Sequence, residues 1–311
     1  MLQIPEVKFA RSATKSNVDP NALCDWLEAC ALFEGPSVTK GDVVDLLIEG
    51  QVCSDDNQDL AHAIADEGWD ELTMRKRWGG VPNDVEITTT RITCHTTWQD
   101  DPIRAFFVLL SALRIYPEWA KDHQAHVVQG DLFERVVELI CPHLLPGWTS
   151  YRAGWSPQDT KDIPAIAADL TERLSTSGAI DIDDWLITPG KDGGLDIVCY
   201  RSFDDEREAT PVFFLQCASG KNWRTKIATP NPDLWQKLLN SAVKPSTGIV
   251  APFVIDRKEL KFHALVGQII VFDRIRLIKA ARAGNVQLPE DLAQELEDWM
   301  NPRVEQLPRA A

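Results

Sequence analysis

Two apolar runs separated by a short charged segment constrain the fold of this 311-residue chain more than any other feature. In the first, LDIVCYRSF (195–203), polar and apolar residues alternate as in a strand. The second, VFFLQCASG (212–220), is continuously apolar, as is typical of a buried strand. The eight residues between them, DDEREATP, have the composition of a turn. Paired as a hairpin, the two runs predict the centre of a β-sheet.

Amphipathic segments surround this predicted hairpin. Apolar residues recur at helical spacing in 21–33, 40–50, 59–78, 101–116, 130–145 and 163–174. The Thr- and Ile-rich segment 85–98 favours a strand or hairpin arm, and segments 247–255 and 263–282 add a strand and a strand-to-helix passage. This order predicts an α/β fold with a mixed central sheet flanked by helices, preceded by a mainly helical N-terminal region. We expect two parts, residues 1–127 and 128–311.

Composition excludes several classes of protein. No apolar run approaches the roughly 20 residues that span a bilayer, and the N-terminus lacks the core of a signal peptide. The seven cysteines form no CxxC pair, which favours reduced thiols and a cytoplasmic protein without membrane contact. Walker A and GxGxxG motifs are absent from the sequence, which argues against nucleotide hydrolysis and dinucleotide binding.

Charge is distributed unevenly along the chain. The net charge is −15, and residues 1–129 carry −10 of it, yet residues 216–282 hold 12 basic and 4 acidic residues. A protein this acidic does not coat itself uniformly with nucleic acid, so a phosphate-binding face must be local. The basic stretch is either such a face or an ordinary solvated surface.

Three polar residues interrupt the predicted hairpin. Asp196 follows two glycines at the start of the first strand, Gln216 lies near the end of the second, and Lys221 follows five residues later. Pairing of the strands brings Asp196 and Gln216 to the same end of the sheet, with Lys221 at its lip. Carboxylate and carboxamide oxygens suit a hard divalent cation, and an ammonium stabilises a developing oxyanion. These groups together suit metal-assisted hydrolysis of a phosphodiester.

These residues resemble the PD-(D/E)XK nuclease superfamily, specifically its Mrr-like restriction endonucleases, over about residues 128–255. In that family the second acidic position is often Gln, and a preceding helix carries a Phe-Glu pair, matched here by Glu134 in LFERVVEL. The resemblance implies a PD-(D/E)XK-like sheet in which Asp196, Glu134 and Gln216 bind Mg²⁺ or Mn²⁺. The family places lysine two residues after the acid or amide, where this chain has Ala218, so Lys221 becomes the candidate catalytic ammonium.

The function that this resemblance implies is that of a metal-dependent DNA endonuclease in bacterial antiviral defence or restriction. Because residues 216–282 are basic, we expect DNA to contact this stretch, beginning with Lys221, Trp223, Arg224 and Lys226. The acidic helical region is expected to face away and to contact a protein partner or a second copy of the chain. Charge reversal there, at Arg75 and Lys76, is expected to change DNA affinity little.

Other interpretations remain open for each residue. Glu134 also fits a solvated helix position, Asp196 a turn, Gln216 a hydrogen-bonded core amide and Lys221 an exposed loop. Because the lysine is displaced, the chain also fits a catalytically inactive nuclease-fold protein that acts as a nucleic-acid-binding or interaction subunit of a defence complex. A third interpretation is an interaction subunit that docks through its acidic helical region.

Overall fold

A computed structural model describes most of the chain. The described residues are 1–5, 9–10, 17–54, 56–123, 126–153, 162–179, 193–205, 207–220 and 222–310, with only the backbone described at 9, 10 and 17.

The N-terminal region consists of helices and short strands. Its helices are α1 (Pro20–Phe33), α2 (Lys40–Glu49), α3 (Gln58–Arg77), α4 (Pro102–Ile115) and α5 (Pro117–Asp122). Strands β1 (Phe9–Ala10) and β2 (Asn17–Val18) pair, while β3 (Ser37–Thr39), β4 (Val85–Ile87) and β5 (Arg91–Cys94) form an antiparallel sheet in the order β3-β5-β4. The segment 85–98, expected to be a strand or hairpin arm, forms the two paired strands β4 and β5.

A five-stranded mixed sheet occupies the second half of the chain. Its strands are β6 (Thr149–Arg152), β7 (Ile197–Tyr200), β8 (Val212–Cys217), β9 (Ser246–Val250) and β10 (Ile270–Phe272), and they lie side by side in chain order. The pairs β6–β7 and β7–β8 are antiparallel, and the pairs β8–β9 and β9–β10 are parallel. The helices of this half are α6 (His126–Leu144), α7 (Ile163–Leu174), α8 (Pro232–Leu238), α9 (Arg257–Val266), α10 (Arg274–Ala283) and α11 (Glu290–Glu305).

The continuous apolar run of β8 has a structural explanation in the two layers that cover the sheet. Phe213 and Leu215 pack into the core shared with α6 and α10, whereas Val212 and Phe214 face α7 and α8. Successive side chains of a strand point to opposite faces, so a strand covered on both sides requires apolar residues throughout. The α/β class with a mixed central sheet is confirmed.

One hydrophobic core joins the N-terminal helices to the sheet. Phe106 of α4 packs edge-on against Trp299 of α11, with ring centroids 5.3 Å apart, and Phe107 contacts Phe133 of α6 at 5.9 Å. The boundary expected between residues 127 and 128 falls in the first turn of α6, and the core is continuous across it. Within the described ranges, no helix has both the length and the apolar character to cross a bilayer.

Candidate active site

The β7–β8 hairpin brings Asp196 and Gln216 together. The strands pair with Ile197 opposite Leu215, and the backbone N–H of Asp196 donates to Leu215 O at 3.1 Å. This register places Asp196 beside Gln216 at one end of the sheet, where each is only 4% exposed. The hairpin expected from the two apolar runs is confirmed, as is the placement of both residues at the same end.

Hydrogen bonds hold the Asp196 carboxylate in place. Its Oδ2 accepts from the side-chain amide of Gln216 and from the backbone N–H of Cys217, both at 2.5 Å. At the other end of the carboxamide, the Thr229 hydroxyl donates to Gln216 Oε1 at 3.0 Å. Gln216 therefore orients the carboxylate through its NH₂ group, and its oxygen is directed at Thr229 rather than at Asp196.

Close packing requires a glycine at position 194, two residues before Asp196. Gly194 has φ +76°, a conformation that side-chain-bearing residues rarely adopt. A Cβ at this position would lie 2.6 Å from Gln216 Oε1 and 2.7 Å from Thr229 Cβ. Only glycine therefore allows the chain to enter β7 alongside the Gln216 carboxamide.

Glu134 reaches the same end of the sheet from α6. Its Oε2 lies 3.7 Å from Nε of Arg152, and its side chain is 14% exposed. Arg152 is the last residue of β6 and pairs with Ile197, directly after Asp196 in the chain. The three elements that the resemblance requires, a Glu helix, an Asp strand and a Gln strand, therefore lie together.

The Cys217 thiol lies within the electrostatic influence of both carboxylates. Burial raises the pKa of this thiol most, and Asp196 and Glu134 raise it further. The cations of Lys226 and Arg152 act in the opposite direction. A neutral, buried thiol is a poor nucleophile, so Cys217 serves packing, and the groups available for chemistry are the carboxylates and cations around it.

The donor set fits a magnesium-type ion with one correction. No group of three or more His, Cys, Asp and Glu side chains suited to a metal occurs among the described residues. Mg²⁺ is commonly held by one or two carboxylates, with water and substrate phosphate oxygens as the remaining ligands, and Asp196 and Glu134 are the two carboxylates available at this end of the sheet. Gln216 was expected to be a third ligand, but in this arrangement it offers an amide N–H to Asp196 instead of an oxygen.

The cationic side of the site differs from expectation. Lys221 lies outside the described residues. Trp223 was expected to contact nucleic acid, but it is 1% exposed and packs on Phe253, with ring centroids 5.9 Å apart, so it has no face for a base. Arg224 donates from Nη2 to Oε2 of Glu259 at 2.9 Å.

Lys226 is, with Arg152, one of two described cations that act on the Cys217 thiol beside the carboxylates. Its ammonium donates to the backbone carbonyl of Cys217 at 3.3 Å, one residue beyond Gln216. Sequence reasoning assigned Lys226 to DNA contact and overlooked Arg152 and Thr229 altogether, because no local pattern links them to a site. Strand register and the return of the chain after β8 bring all three into place.

The basic stretch does not form one separate face. Arg274, within the stretch, is 1% exposed and pairs with Asp25 and Glu28 of α1. The expectation that the acidic helical region faces away from residues 216–282 is therefore wrong. Arg75 is also buried in this cluster, so its reversal cannot serve as a surface control for DNA affinity.

Comparison with known proteins gives no match that could identify this site. No family model, no curated protein and no solved structure matches the chain. Any assignment of function therefore rests on the arrangement of the chain's own residues.

Proposed function

We propose that the chain is a metal-dependent DNA endonuclease with its active site at the Asp196 end of the central sheet. The observation that carries the proposal is the convergence of Asp196, Glu134 and Lys226 around Cys217. The order of elements, a Glu helix followed by antiparallel Asp and Gln strands, supports a PD-(D/E)XK-like core. A role in antiviral defence or restriction follows from that resemblance.

Asp196 and Glu134 would hold Mg²⁺ or Mn²⁺, which polarises a phosphate and lowers the pKa of a nearby water. Gln216 and the Cys217 amide keep the Asp196 carboxylate from rotating. In the reaction, a water oxygen attacks phosphorus, the bond from phosphorus to the leaving sugar oxygen breaks, and the proton from water ends on that oxygen. Lys226 would stabilise negative charge on the phosphoryl oxygens.

A catalytically inactive nucleic-acid-binding protein is the second candidate. Two observations favour it. The Gln216 oxygen is directed at Thr229, so the protein offers a cation two carboxylates rather than three ligands. Ala218 also stands where the family lysine is expected.

Incubation of supercoiled plasmid with the full chain separates the two candidates. We expect nicked or linear product with Mg²⁺ or Mn²⁺ and none with EDTA, and we expect Glu134→Gln to lower the cleavage rate. DNA binding by fluorescence anisotropy, without cleavage under either metal, would instead select the inactive protein. Equal cleavage by wild type and Glu134→Gln would contradict the proposed site.

We predict that Lys226→Met lowers cleavage far more than DNA binding. Removing one donor to a developing oxyanion costs about 10²–10³-fold in rate. The single-turnover rate at saturating DNA measures this loss, and Lys237→Met, an exposed lysine of α8, is the matched control. Lys221→Met belongs in the same series, since the two lysines are the alternative sources of the ammonium. If DNA affinity falls while the single-turnover rate at saturating DNA is unchanged, Lys226 contributes to DNA binding and not to catalysis.

A further inference from the structure

A cleft of about 1060 Å³ lies between the helical region and the C-terminal half. One wall comes from the start of α1 and the end of α3, and the other from residues 253–260 and 273–279. Asp196, Gln216 and Glu134 are not among its lining residues. The cleft is therefore a separate cavity, large enough to enclose a small molecule.

The two walls are held together by tight packing after α3. A Cβ on Gly80 would lie 2.8 Å from Cγ1 of Ile275 and 3.2 Å from its Cα, so α10 presses directly on the backbone there. The adjacent Gly79, with φ +86°, would likewise meet the Lys279 side chain at 3.2 Å. These contacts place Lys279 at the rim of the cleft as part of the fold.

The acidic residues that line the cleft are already engaged. Asp19, Asp256 and Asp273 are the N-caps of α1, α9 and α10, and each accepts backbone N–H groups. A carboxylate at a helix N-terminus is also offset by the helix dipole. Glu71 and Glu259 are each ion-paired to an arginine.

Four cations that line the cleft have no ion-pair partner among the described residues. Within the described part of the chain, Arg77, Arg114, Arg257 and Lys279 have no carboxylate at ion-pair distance and make no hydrogen bond. Arg114 is attracted by the more distant carboxylates of Asp25, Asp19 and Glu259. Arg114 is partly buried, and its guanidinium carbon lies 3.7 Å from the ring centroid of Phe253. Burial lowers the pKa of Arg114, but an arginine keeps its charge in proteins.

We propose that this cleft binds a phosphate-bearing small molecule of nucleotide size, with Arg114 as the central phosphate contact. Several unpaired cations favour a ligand with more than one negative charge, and guanidinium groups match phosphate in a two-point geometry. Trp78, 36% exposed on the lining, offers a ring for the aromatic part of such a ligand. Arg114 rests on the fully buried Phe253 within the cleft lining, so we expect a small molecule rather than a DNA duplex to reach it.

Isothermal titration of the full chain with ATP, GTP, AMP, adenosine and inorganic phosphate tests this proposal. We expect the nucleoside triphosphates to bind more tightly than AMP, and adenosine and phosphate to bind weakest. Arg114→Met should weaken triphosphate binding by about 10- to 100-fold, the value of a charged hydrogen bond. Arg173→Met is the matched control, because Arg173 also stacks on a ring, that of Tyr151 at 4.1 Å, but outside the cleft.

Three further variants keep the test independent of folding and of cleavage. Arg77→Gln and Lys279→Gln alter exposed side chains and should also weaken triphosphate binding. Asp196→Asn should leave that binding unchanged, because Asp196 lies outside the cleft. No binding of any of the five compounds, equal triphosphate affinity in wild type and Arg114→Met, or a selective loss of DNA affinity in Arg114→Met would each overturn the proposal.

Discussion

Replacing Asp196 with asparagine is expected to lower DNA cleavage about 10³-fold while leaving the fold intact. The substitution is nearly isosteric, and an amide oxygen still accepts the hydrogen bonds from Gln216 and the Cys217 amide. It removes the negative charge that a hard cation requires. A bound metal supplies several kcal/mol of transition-state stabilisation, and each 1.36 kcal/mol is a factor of ten in rate.

Single-turnover cleavage over a range of Mg²⁺ and Mn²⁺ concentrations measures this effect. Asp101→Asn is the matched control, because Asp101 caps α4 by accepting from the Arg104 N–H at 3.2 Å, and asparagine caps helices equally well. The control should cleave like wild type, and both variants should unfold at the wild-type temperature. If Asp196→Asn cleaves DNA at the wild-type rate, Asp196 takes no part in the mechanism and the cleavage comes from another source.

The part of the site that sequence reasoning predicted is the part governed by local patterns. Two apolar runs with a charged turn predict the hairpin, and the hairpin alone brings Asp196 to Gln216. The start of α6 shows the limit of the same method. This helix begins at His126, four residues before the expected start, because Val127 and Val128 are more than half exposed and break the amphipathic pattern.

Features of the structure that depend on contacts between residues far apart in the sequence could not be predicted from the sequence. A tryptophan among basic residues looks exposed, yet Trp223 is covered by Phe253 and His263, which lie 30 and 40 residues later. The run Arg75-Lys76-Arg77 looks like a solvated helix end, yet Arg75 turns inward to carboxylates 50 and 47 residues earlier. Neither partner is identifiable without the fold.

Replacing Arg274 with methionine is expected to lower the free energy of unfolding by about 3–5 kcal/mol. Arg274 and Arg75 share the carboxylates of Asp25 and Glu28, with nitrogen–oxygen distances from 2.6 to 3.0 Å. All four residues are no more than 5% exposed. Removing Arg274 leaves two buried carboxylates that share one ion-paired arginine, and Ser111 loses the hydrogen bond from Arg274 at 3.0 Å.

Arg104 provides the matched control for this change. It is also 1% exposed, but the only hydrogen bond that it makes from its side chain within the described residues is to the Cys94 sulfur at 3.7 Å. Arg104→Met leaves no carboxylate uncompensated, so we expect a much smaller loss of stability. Urea unfolding by circular dichroism gives both values. Similar losses in the two variants would mean that the cost comes from packing rather than from charge.

Adding Glu28→Gln to Arg274→Met is expected to recover part of the lost stability, because it restores equal numbers of buried positive and negative groups. The coupling energy from this double-mutant cycle isolates the contribution of the pair. If the double variant loses as much as the two single variants combined, Arg274 and Glu28 act independently and the charge-balance explanation fails.

The pH dependence of stability tests the carboxyl groups of the same cluster. Burial alone would raise the pKa of Asp25, but Arg274 and Arg75 outweigh it and hold the pKa below its ordinary value of 3.8. A carboxyl with a lowered folded-state pKa stabilises the protein above its unfolded-state pKa, and this stability is lost as pH falls through the folded-state value. Wild type should therefore keep this contribution down to about pH 3.8 and lose it below. In Arg274→Met the pKa of Asp25 rises, so the stability that Asp25 contributes above pH 3.8 shrinks, and less stability should be lost below that pH than in Arg104→Met. An equal loss of unfolding free energy below pH 3.8 in the two variants would show that Arg274 does not lower the pKa of Asp25.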